Sequence, residues 1–146
     1  MTVAAPSLWL RSYLVLAVVS FLLNLLHIGD DLIRGENITM GNDLLFGLGM
    51  LVLGVLFVFG VLWSWLYRSY GFWVVLVLSL SFLWGVSLSH IFELGGAHSL
   101  QHIATETGAW APIMVSTSLL GGVAALSTAL LAIYLLSNPG KMRQGT

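Results

Sequence analysis

The 146-residue chain has no cysteine, so disulfides, thiolate metal sites and thiol redox chemistry are all excluded. Charge is scarce as well: 8% of residues are charged, against 58% hydrophobic, far from the balance of a water-soluble domain. Only 3 prolines interrupt the chain, so long helices can run unbroken. Five Lys and Arg in total, with no cluster among them, leave no means of neutralising a run of phosphates, which excludes nucleic acid as a partner. No Ser/His/Asp triad, P-loop or dinucleotide fingerprint is present, and no lysine lies within an apolar run to hold a Schiff base.

What remains is apolar sequence in four blocks, residues 12–28, 44–67, 72–89 and 112–136. At a rise of 1.5 Å per residue each can cross the roughly 30 Å of hydrocarbon in a bilayer. The two shorter blocks, the first and third, can extend as helix through Leu32 and Leu94. The expected fold is all-α: one transmembrane four-helix bundle made of two helical hairpins, with the lipid bilayer as its first partner. Arg11 ahead of an apolar stretch imitates a secretory signal, but no small-x-small cleavage site follows, so the first span is expected to be retained.

Sidedness follows from the cations. Arg11, Arg68, Lys141 and Arg143 fall on one side of the proposed spans and only Arg34 on the other, which places both termini in the cytoplasm, with the plasma (inner) membrane as the expected location. The acidic residues give the same division independently, because Asp30, Asp31, Glu36, Asp43, Glu93 and Glu106 all lie in the two outer segments. All four histidines, His27, His90, His98 and His102, lie there too. Trp63, Trp65, Tyr67, Tyr70 and Trp73 flank the inner turn, with Trp9 and Tyr134 at similar depth, as an interfacial aromatic belt would.

A weak tandem repeat is visible on either side of Tyr70. The first block ends in His27-Ile28-Gly29-Asp30 and the third in His90-Ile91-Phe92-Glu93, which fits two parallel hairpins. Small residues recur in the second and fourth blocks: Gly47, Gly49, Gly54 and Gly60, then Ser118-x-x-x-Gly122 and Gly121-x-x-x-Ala125, spacings that let helices cross closely.

Neutral imidazole and carboxylate are the ligands that zinc, copper and non-haem iron prefer. If the first helix continues outward, His27, Asp30 and Asp31 share a face, as do His90 and Glu93, while His98 and His102 stand one turn apart in a stretch without Pro or Gly. The candidate metal ligands are therefore His27, Asp30, Asp31, His90, Glu93, His98 and His102. Ordinary interfacial and loop histidines are the competing reading, since no complete signature such as His-Glu-x-x-His occurs. Asn24, one turn before His27, is read either as an interhelical hydrogen-bonding group or as an amide that orients the imidazole.

The expected function is that of a small accessory or scaffold component whose outer His/carboxylate face binds a divalent metal or a partner, either another membrane protein or further copies of the chain. A membrane-embedded metalloenzyme or redox protein is the first alternative, and a small oligomeric transporter or channel the second. No nucleophile accompanies the ligands, so the catalytic residues of the first alternative are unassigned. The second lacks a carboxylate or basic residue at mid-membrane.

Overall fold

The computed structural model describes residues 6–34, 43–88, 104–105 and 108–142, with the side chains of 30–34, 43–46, 86 and 87 excluded. Each apolar block forms a helix: α1 Leu8–Arg34, α2 Asp43–Trp65, α3 Ser69–Phe82 and α4 Ala111–Ser137. No strand occurs among the described residues. Three segments are long and apolar enough to cross a membrane, Leu8–Gly29, Gly47–Trp65 and Gly108–Ser137. The third helix is shorter, an apolar stretch of Ser69–Gly85, and it widens into a π-helical segment at Leu83–Leu88.

The helix ends are set by identifiable local chemistry. Ser7 caps α1, its Oγ accepting from the Leu10 N–H at 3.2 Å. Tyr67 ends α2 in a left-handed conformation, φ 58°, with Arg68 N–H donating to the Trp63 carbonyl at 2.8 Å and Tyr67 N–H to that of Ser64 at 3.0 Å. This is the Schellman arrangement with tyrosine in the place usually held by glycine, a substitution that costs about 1–2 kcal/mol in backbone conformation. Pro112 stands in the first turn of α4, where its missing N–H leaves no helical bond unmade.

Packing departs from the order of the chain. The principal partner of α1 is α4, while α3 packs against both α2 and α4. α1 and α4 run antiparallel: Trp9 lies against Tyr134 with ring centroids 5.2 Å apart, and further along Asn24 faces Gly121. Contact between α1 and α2 is sparser and made by large side chains, among them Phe21 stacked on Phe57 at 4.1 Å. Beside that pair an apolar groove of about 480 Å³ remains, lined by Phe21, Leu25, Met50 and Val58.

The tightest crossing joins α2 to α3. Gly71 lies so close to α2 that a β-carbon there would stand 2.4 Å from the Ser64 nitrogen and 2.7 Å from the Gly60 carbonyl oxygen. Gly60 in turn faces Val74 and Val75. Among the described residues nothing lies within 4 Å of that position at Gly47, Gly49 or Gly54, whereas Gly60 serves the crossing with α3.

Candidate functional site

The face that α1 turns inward is Leu10, Tyr13, Ala17, Ser20, Asn24 and His27, all buried and spaced alternately three and four apart. That is the spacing of a helix packed lengthwise against a partner. α4 answers with Ser118, Gly121, Ala125, Thr128, Ala132 and Leu135 at the same alternation, again all buried. The seam changes character along its length. Near the chain ends it is Leu10, Tyr13, Ala132 and Leu135; towards the other end it is Ser20, Asn24, His27 and Ser118.

Three hydroxyls along the interior are satisfied locally. Thr128 Oγ1 donates to the Ala124 carbonyl at 2.8 Å, Thr117 Oγ1 to that of Met114 at 2.9 Å, and Ser64 Oγ to that of Gly60 at 2.8 Å. Because the Ser64 hydroxyl has one proton and directs it to Gly60, Tyr13 is the donor in the 3.2 Å contact between the two hydroxyls. These bonds let polar side chains sit in a lipid-like interior without an unmet donor.

Asn24 is the exception. Its Nδ2 donates to the Ser20 carbonyl at 2.7 Å, one turn back in the same helix, so the amide does not bridge to α4 through that group. Its Oδ1 is buried and accepts no hydrogen bond among the described residues. An unmet buried acceptor costs about 1–3 kcal/mol, and such a group in a native fold calls for a reason. Gly121 makes room for the amide: a β-carbon there would lie 3.5 Å from Nδ2, in ordinary contact.

His27 stands one turn beyond Asn24 and has no exposed surface. It is the last buried member of the inward face of α1 among the described side chains. Two aromatic pairs fix its level against α3. Tyr13 meets Phe72 at 5.0 Å and Phe21 meets Phe82 at 6.0 Å, so the two helices run parallel. Extending both outward brings His27 level with the π-helical segment Leu83–Leu88, which packs against α4 and α1.

Of the seven candidate ligands, His27 alone has a described side chain. Asp30 and Asp31 lie on α1, one turn beyond it, with side chains outside the description, and His90, Glu93, His98 and His102 fall outside the described residues altogether. Among the described residues no three His, Asp or Glu side chains come together. Ser20 is the member of the polar seam that the sequence reading passed over, hidden within an apolar run; its spacing of four from Asn24 and seven from His27 was the available sign.

Comparison of the chain with protein-family models, with curated proteins and with solved structures found no match, so the chemistry of this site is read from its own residues.

Proposed function

We propose that this chain is a non-enzymatic four-span membrane subunit, an accessory or scaffold component of an envelope complex, whose extracytoplasmic end binds a divalent transition metal. His27 is the innermost ligand, and Asp30 or Asp31, His90, Glu93, His98 and His102 complete the set from the outer segments. Both termini are cytoplasmic in this reading, and the two halves are parallel hairpins. One observation carries the proposal: His27 is fully buried in a seam whose neighbouring amide oxygen accepts no hydrogen bond among the described residues. A titratable side chain held within a membrane interior is costly and is retained where it has work to do.

Elemental analysis of the protein purified in mild detergent, beside a variant lacking His98 and His102, tests it. Near-stoichiometric zinc, copper or iron in the wild type and its loss from the variant are expected. Metal-free wild type that also fails to take up added metal would sink the reading.

The polar run Ser20–Asn24–His27 within the bundle favours a second reading, a small oligomeric transporter or channel. Ion flux in proteoliposomes that disappears in an Asn24→Leu variant would select it over the scaffold.

A further inference from the structure

The opposite end of the bundle carries charge of one sign. α1 begins there and α4 finishes there, joined by the Ser7 N–H to the Met142 carbonyl at 3.2 Å and by the Ser7 Oγ to the Lys141 carbonyl. The α2–α3 turn closes on the same end, because Tyr13 touches both Ser64 before the turn and Phe72 after it. Three exposed cations thereby lie at this end: Arg11 and Lys141 where α1 joins the segment after α4, and Arg68 in the α2–α3 turn. Arg11 lies one turn from Ser7, its N–H donating to the Ser7 carbonyl at 3.0 Å, and so stands beside the segment that carries Lys141. The hydrogen bond from Arg68 N–H to Trp63 fixes the third cation at the turn.

No Asp or Glu stands beside them among the described residues of that end, 6–13, 62–72 and 133–142. All six Asp and Glu fall elsewhere in the sequence, at positions 30, 31, 36, 43, 93 and 106. Membrane insertion requires only that cations outnumber on one side. It does not require the residues that carry them to be drawn together, as Arg11 and Lys141 are through their shared hydrogen bonds to Ser7. Exposed Trp9, Trp65 and Tyr70 stand at the same level, where amphipathic rings meet lipid headgroups.

We infer that this end binds the phosphodiester headgroup of an anionic glycerophospholipid, between Arg11 and Lys141 on one side and Arg68 on the other. Guanidinium matches phosphate oxygens two at a time, and Lys141 adds a compact third charge. Inorganic phosphate offers the same oxygens without acyl chains, whereas the exposed Leu8, Trp9 and Leu66 provide apolar surface for those chains. The inference is independent of any metal at the far end and of which way the chain faces.

The full chain in mild detergent is to be titrated with phosphatidylglycerol, phosphatidylcholine or inorganic phosphate, with bound lipid read by native mass spectrometry and stability by thermal melting. Retention of phosphatidylglycerol over phosphatidylcholine is expected, with no melting shift from phosphate. Each of Arg11→Gln, Arg68→Gln and Lys141→Gln is expected to weaken phosphatidylglycerol about fivefold, the usual effect of one basic residue near an anionic surface, and Arg34→Gln is not. If a variant fails to fold, wild type alone still decides, because headgroup binding has to weaken as salt rises. Equal retention of the two lipids, a phosphate effect matching that of phosphatidylglycerol, charge variants that behave like Arg34→Gln, or indifference to salt would each overturn the inference.

Discussion

Gly71 of α3 rests directly on the backbone of Gly60 in α2, with no space between them for a methyl group. The obstacle to a side chain at 71 is main chain, which cannot rotate aside as a side chain would. Gly71→Ala is therefore expected to destabilise the protein by on the order of 1–3 kcal/mol, as overpacking of a tight contact does. Gly54→Ala meets open space and is expected to be neutral or slightly stabilising. Thermal unfolding of the two variants in one detergent checks the contrast, and equal midpoints would contradict the crossing.

Asn24 offers a test that separates stability from function. Replacing it by leucine removes the buried, unmet Oδ1 along with one hydrogen bond to the Ser20 carbonyl. Asn24→Leu is expected to be no less stable than wild type, because losing an unsatisfied acceptor offsets the lost bond. Metal affinity is expected to fall, since the amide adjoins the imidazole. A variant both unstable and fully metal-competent would assign Asn24 a purely structural role.

Metal binding itself has a predicted pH dependence. Ligation needs neutral imidazoles, so affinity is expected to fall as pH drops through the ordinary histidine range near 6.5, whereas a site of carboxylates alone would persist lower. Titration calorimetry with zinc at pH 7.5 and pH 5.5 measures this. His27→Ala and His90→Ala are each expected to weaken binding by about tenfold or more.

Sidedness can be read by thiol labelling, because the native chain has no cysteine to interfere. Cysteines at Ser69 or Gly140 are expected to be shielded from an impermeant reagent in intact cells, and those at Thr39 or Thr105 to react. The reverse pattern would turn the protein over.

The helices were legible in the sequence because long apolar blocks without proline admit little else in lipid. Helix partners were not. Gly47, Gly49, Gly54 and Gly60 read alike along the chain, yet among the described residues only Gly60 meets a neighbour, since which face of α2 turns inward depends on α3. Chain order pointed to an α1–α2 hairpin, whereas small residues on both sides draw α1 most closely to α4. The choice of His27 as a candidate ligand rested on its position near carboxylates in the sequence. Its complete burial was not legible, because burial depends on what packs against α1, and the principal partner, α4, lies far away in the sequence.

The pairing of the first helix with the last has a consequence for biogenesis. During synthesis α1 enters the bilayer well before α4 has been translated. At typical elongation rates of about 5–20 residues per second, its polar face waits for several seconds or more. Throughout that interval Ser20, Asn24 and His27 would face acyl chains unless the insertion machinery or a membrane chaperone shelters them. Ribosome-bound intermediates ending before residue 111 should therefore crosslink from position 24 to the translocation apparatus, and release should coincide with the emergence of α4.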